Sequence, residues 1–366
     1  MHPSSLFCGL LTVSVLVSVA APIDARPQPF RQQIVEPRMV PHSQPTVDTM
    51  AVSPDGKLVA LGWGNIPGGN IELVSVKTGR GPGVLLSYSA SINRGTPTAM
   101  VFSPDSKRLA VGDTGGRILI WDVTKSGTEA LCITHFEPGG SWTFPAIRTV
   151  VYDADGKSLV AVLGDGVVKR WDATTGRPLK QFSLGMGQHV SAVALDKAGK
   201  LAVSGHENGT VHIWNAETGG LTKSWHLAKG TTVRSLAFAP DGKKFVIGLE
   251  NVKASQRPLI RLLGSAPEQV NQTVVVETQS GERLAELPAI FTDAQFGPSG
   301  KHLVTCEYSG PVKVWDAATG RNVHTIAKEQ SGCLQLIPSS DGAILFARNA
   351  GWLAWNIQTG AQVWPR

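Results

Sequence analysis

The residue types able to do chemistry are few and scattered along the chain. His206 and His212 stand six apart with Glu207 beside the first. These are metal-ligand types, but His206 reads as loop and His212 as strand, so the pair reads as exposed polar residues. Four cysteines, Cys8, Cys132, Cys306 and Cys333, lack the spacing of a metal site. Cys8 lies in an apolar leader, so the mature chain keeps an odd set with room for at most one intramolecular disulfide. Cys306 with Cys333, from consecutive repeats, is the pair to test; small buried thiols are the other reading. No Cys-x-x-Cys-His haem site, His-Glu-x-x-His zinc site, Gly-x-Ser-x-Gly elbow or phosphate loop occurs. The Asp-Gly turns lack the spacing of Asp-x-Gly boxes. No catalytic, cofactor or metal residue is therefore assigned, and the protein is expected not to be an enzyme.

The formal net charge of +6 comes from 34 basic and 28 acidic residues with no run of five like charges. Phosphate binding needs basic residues gathered on one face, so a solvated, mildly basic surface is expected and a nucleic-acid partner is not. A monomer is expected.

Residues 1–25 contain no Lys or Arg, and Leu6 to Ala21 is an apolar run of 16 residues. That is the length of a signal-peptide core and short of the ~20 residues that span a bilayer. Cleavage near residue 20 or 25, with a secreted or periplasmic product, is the expectation. Retention of residues 6–21 as a membrane anchor is the alternative. Residues 26–46 carry Pro27, Pro29, Pro37, Pro41 and Pro45, which favour an extended segment and exclude a helix.

From residue 47 to 366 the chain is a repeat. Each copy opens on a turn such as Ser53-Pro54-Asp55-Gly56-Lys57, and equivalent turn positions fall at 56, 106, 156, 199, 242, 300 and 342. The spacings, 42 to 58 residues, are those of a propeller blade. Asp-Gly suits a tight hairpin because glycine reaches positive φ without a Cβ clash. A second landmark follows at Trp121-Asp122, Trp171-Asp172, Trp214-Asn215, Trp315-Asp316 and Trp355-Asn356, weakened to Val74-Ser75 and Val276-Glu277 in repeats one and five. A glycine turn then ends each copy. Turn, strand, loop, Trp-bearing strand and glycine turn together make a four-stranded antiparallel meander. One meander cannot bury both apolar faces, so blades must stack, and closing the stack into a ring protects its ends.

The Ser-Pro-Asp-Gly-Lys turns and Trp-Asp dipeptides resemble the WD40 repeat family. The resemblance implies an all-β, seven-bladed β-propeller of four-stranded antiparallel blades. Asp55, Gly56, Trp121, Asp122, Trp171, Asp172, Trp214, Trp315, Asp316 and Trp355 are then structural. It also implies closure by a strand from residues 26–46, with Ile34 to Val40 expected as the outer strand of the last blade and residues 361–364 as the alternative. The family's locking network joins a histidine and an aspartate to Ser/Thr and Trp. Here the aspartate position holds Gly115, Asn208 and Ser309, and only His42 and His189 fit the histidine, so the network is expected to be mostly absent.

In the family the loops joining second to third strands share a face with those leading into each blade. On that face the sequence places Trp63, Asp113, Trp142, Phe144, Asp165, His206, Glu207, Glu307 and Tyr308. Exposed loop tryptophans suggest a contact surface. Repeat five carries an insertion at about 251–271, with Lys253, Arg257 and Arg261 beside Leu259, Ile260, Leu262 and Leu263. The expected binding surface is Trp63, Trp142, Phe144, Lys253, Arg257, Arg261 and Tyr308, and the expected function is an exported, non-catalytic platform for a protein partner. An enzyme or small-molecule binder using the central channel mouth is the alternative. Asn208-Gly209-Thr210 and Asn271-Gln272-Thr273 fit the glycosylation sequon.

Overall fold

The computed structural model describes residues 49–64, 69–77, 85–88, 95–125, 131–133, 145–184, 190–227, 230–251, 272–287, 291, 293–306, 310–327, 335–339, 341–348 and 352–364. These residues form seven four-stranded antiparallel sheets, each contiguous in sequence. Blade 1 is β1 (Thr49–Val52), β2 (Leu58–Gly64), β3 (Gly69–Ser75) and β4 (Leu85–Tyr88); blade 2 is β5 (Pro97–Phe102), β6 (Arg108–Asp113), β7 (Ile118–Asp122) and β8 (Leu131–Ile133). Blade 3 is β9 (Ile147–Tyr152), β10 (Ser158–Leu163), β11 (Val167–Asp172) and β12 (Pro178–Ser183); blade 4 is β13 (Val190–Leu195), β14 (Leu201–His206), β15 (Thr210–Asn215) and β16 (Leu221–His226). Blade 5 is β17 (Thr231–Phe238), β18 (Lys244–Asn251), β19 (Gln272–Glu277) and β20 (Arg283–Leu287); blade 6 is β21 (Asp293–Phe296), β22 (His302–Cys306), β23 (Val312–Asp316) and β24 (Asn322–Ala327). Blade 7 is β25 (Gln335–Pro338), β26 (Ile344–Arg348), β27 (Trp352–Asn356) and β28 (Gln362–Trp364). The inner strands β1, β5, β9, β13, β17, β21 and β25 touch in cyclic order, β25 returning to β1, so the fold is the expected closed seven-bladed propeller.

The two turn signals act as read. Gly56, Gly156, Gly199, Gly242, Gly300 and Gly342 all have positive φ, and Ser106, at φ 60°, is the one non-glycine among the described residues that does. The aspartate of Trp-Asp caps the following turn. Asp172 Oδ1 accepts the Thr174 and Thr175 backbone N–H at 3.0 and 2.8 Å and the Thr175 hydroxyl at 2.9 Å. Asp316 repeats this with Ala318 and Thr319. These bonds hold both carboxyls below their ordinary range. Asp55 accepts the Ser53 hydroxyl and the Lys57 N–H, fixing the first turn.

The core is divided by seam. Seven apolar clusters each bridge two neighbouring blades, and Trp121, Trp171, Trp214, Trp315 and Trp355 are buried in them. Burying such side chains is the main force for stacking, at ~25 cal/mol per Å² of apolar surface. Polar stitches set the spacing. Thr98 Oγ1 donates to Ile147 O of the next blade at 2.6 Å, and Ser191 Oγ does the same to Val233 O at 2.7 Å. Beside each hydroxyl lies a second-strand glycine: a Cβ on Gly112 would stand 2.4 Å from Ile147, and one on Gly205 would stand 2.2 Å from Val233. Only a residue with no side chain lets the inner strands approach this far.

Blade 7 departs from expectation. The strand beside β27 is β28, with Trp355 opposite Gln362 and Ala354 opposite Trp364. The C-terminal alternative therefore holds the position beside β27. The pairing is local: Gly360, at φ 67°, donates its N–H to Asn356 O in a short hairpin, which closes at small cost in chain entropy. Residues 26–46 lie outside the described residues.

Candidate functional site: the loop face of the propeller

Each second strand hands over to the third at one end of the propeller, and this end carries the candidate surface. Most described handovers are tight. Gly164 to Gly166 join β10 to β11, and Glu207 to Gly209 join β14 to β15, with Thr210 N–H on Asn208 Oδ1 at 3.0 Å. Blade 5 differs. Its β18 and β19 remain paired up to Leu249 opposite Gln272, and the segment 252–271 leaves from that end. The insertion read from the sequence thus has its root on the expected face, flanked by the Arg234–Glu250 ion pair.

Of the predicted contact residues, Trp63 is the one within the described set. It lies in β2 opposite Asn70, half-buried, and packs on the cluster of Met50, Val59, Leu61, Val74, Phe346 and Ala354. This corrects the expectation of an exposed loop tryptophan: β2 runs on to Gly64, and its pleat turns residue 63 to the same side as Val59 and Leu61. Trp142, Phe144, Lys253, Arg257, Arg261 and Tyr308 lie outside the described residues, as does Glu307. Asp165 and Glu207 are exposed. Asp113 is not. It ends β6 at 1% exposure, accepts the Gly115 and Arg117 N–H at 2.8 and 2.9 Å, and forms an ion pair with Arg117 at 2.7 Å. That aspartate shapes its loop from beneath.

His206 and His212 also correct the sequence reading. Both are buried, with ring centroids 4.6 Å apart. His206 ends β14 rather than sitting in the loop. Its Nε2 lies 3.1 Å from Ser204 Oγ, which in turn accepts the Trp214 Nε1–H at 2.9 Å. Burial pushes the His212 imidazole below its ordinary value. Trp315 likewise donates to Thr305 Oγ1 at 2.7 Å. The locking network is therefore present in part, as a hydroxyl ten residues before the tryptophan in blades 4 and 6. Sequence reasoning sought its histidine before the inner strand, whereas blade 4 takes it from the second strand. Among the described residues no group of three or more His, Cys, Asp or Glu could hold a metal ion. Cys306 is buried and disulfide-bonded, while Cys333, its expected partner, lies outside the described residues.

A family model described as WD domain, G-beta repeat matches residues 86–122 and 176–215. Each match spans the outer strand of one blade and the first three of the next, ending on Trp121-Asp122 and Trp214-Asn215. The family model thus finds WD40 repeats at two places in a chain folded as a seven-bladed propeller. Human apoptotic protease-activating factor 1 is 31% identical over 90 residues, covering 25% of this chain. The match spans 7% of that protein's length. WD40 propellers commonly serve as protein-interaction scaffolds.

Proposed function

We propose that the protein is an exported, non-catalytic platform that binds a protein partner on its loop face. The observation that carries this reading is the blade 5 handover, where 252–271 departs from the hairpin between β18 and β19 while neighbouring handovers are tight. Insertions in a repeat array gather on the binding face. The basic and apolar residues at Lys253, Arg257, Leu259, Ile260 and Arg261 are types found at interface centres and rims. Export is supported by the apolar leader and by the disulfide at Cys306, a bond that persists in oxidising compartments.

The test compares two baits in the native extracytoplasmic fraction: the mature chain, and the same chain with 252–271 replaced by a tight turn. A protein retained by the first and lost by the second, with melting temperature unchanged, is the expected result. Retention by both baits moves the interface elsewhere. Retention by neither removes the platform reading.

A further inference from the structure

The other end of the channel holds a cavity of about 750 Å³ to which all seven blades contribute. Its size falls within the ~300–1,000 Å³ of small-molecule sites. The rim is stiff. Pro54, Pro104, Pro240 and Pro338 line it, each locked in φ and lacking an N–H. Neighbouring turns brace one another: a Cβ on Gly156 would touch Pro104 at 3.3 Å. The mouth therefore exists before any ligand arrives.

Its walls are unlike. Blades 1 to 3 present Val52, Met100, Val101 and Val151, an apolar half softened by the Met100 thioether, a group that adapts to irregular shapes. Blades 4 to 6 present Asp196, Asp241 and Gln295. The Gln295 amide is oriented, because its Nε2 donates to Asp293 Oδ1 at 3.1 Å while Asp293 Oδ2 accepts the Leu336 N–H of blade 7 at 2.7 Å. The Gln295 Nε2 is thereby directed at Asp293, and the Oε1 of this lining residue is the amide's hydrogen-bond acceptor. Asp196 is buried, its Oδ1 held by the Lys200 and Leu201 N–H groups at 2.7 Å each, and it sets a negative charge on the same half. Lys197, at the rim, is exposed to solvent.

We propose that this cavity binds one small organic molecule with an apolar body and a neutral head that donates a hydrogen bond to Gln295. The apolar half receives the body, the oriented amide receives the head, and the Asp196 and Asp241 carboxylates repel an anion. This site lies at the opposite end of the strands from the protein-binding face and does not depend on it.

The experiment is a fluorescence titration of the mature chain with two probes of similar size. N-phenyl-1-naphthylamine is neutral and carries one N–H; 8-anilino-1-naphthalenesulfonate adds a negative charge. Saturable one-to-one binding of the neutral probe is expected, with the sulfonate at least about ten-fold weaker by the carboxylate repulsion. Val101→Trp fills the apolar half and should abolish binding. Gln295→Leu keeps the volume and should weaken binding about five-fold, the worth of one neutral hydrogen bond. Should Val101→Trp fail to fold by circular dichroism, Val52→Phe supplies the filling variant. Absence of saturation, a preference for the sulfonate, or undiminished binding by the filled variant overturns the proposal. The bait comparison above reads the other face, so either reading can fail alone.

Discussion

Blade 4 and blade 1 have the same meander and the same first turn, yet they are fastened by different means. In blade 4 the third strand brings Trp214, whose N–H reaches Ser204 and through it His206. In blade 1 the equivalent position is Val74, buried but unable to donate. Two residues earlier, where blade 4 has His212, blade 1 has Glu72. That carboxyl shares the face of β3 that carries Val74 and has no hydrogen-bonding or ion-pair partner among the described residues. Burial pushes its pKa up. One architecture thus tolerates a polar lock in one blade and an uncompensated carboxyl in another, because closure of the ring constrains each blade through both neighbours.

The largest effect that would break this comparison comes from truncating the two landmarks. Trp214→Ala should lower stability by about 3–5 kcal/mol and Val74→Ala by roughly half that, read as melting temperatures of the two variants. Equal losses would mean that the lock adds nothing beyond size. Gly205→Ala drives a Cβ into Val233 and should cost about 1–3 kcal/mol by overpacking. Ser204→Ala orphans the Trp214 N–H and leaves His206 without its hydroxyl, for about 1–3 kcal/mol by denaturant titration.

The smallest effect, and the sharpest, is a crossing of pH profiles. Folded His212 sits below its ordinary 6.5, so the unfolded chain binds the proton more readily, and stability is lost as pH falls through 6.5 toward the folded value. Folded Glu72 sits above its ordinary 4.5, so its contribution is full below 4.5 and is lost as pH rises through the raised value. His212→Gln should therefore flatten the acid limb of the stability curve. Glu72→Gln should raise the melting temperature at pH 7 and leave it unchanged near pH 4. Parallel profiles for the two variants would remove the distinction between the blades.

The blades were legible because each needs residues that few others can replace: glycine at positive φ in the turns and a large apolar group on the third strand. Strand ends were less legible. Trp63, Asp113 and His206 read as loop because each lies next to the turn that follows its strand, but β2, β6 and β14 each continue to or beyond them. Two more residues of pairing were enough to bury an aspartate and a histidine. The stitches from Thr98 and Ser191 leave a faint signal, a hydroxyl 14 residues before a second-strand glycine, that becomes meaningful only when neighbouring blades are placed side by side. The channel cavity leaves none, since its wall is assembled from short pieces of all seven blades that lie far apart in sequence.

Because β28 completes blade 7 from its own hairpin, every described blade is a continuous stretch of chain. Consecutive blades are therefore tethered by the polypeptide itself, whereas among the described residues blades 7 and 1 meet through side chains such as Met50, Leu61, Val74, Phe346 and Ala354. Mechanical tension applied from the two ends of the propeller loads that junction first. The ring then behaves as a bracelet with a clasp: once Phe346 is pulled from Met50, the remaining blades peel from the open ends in order.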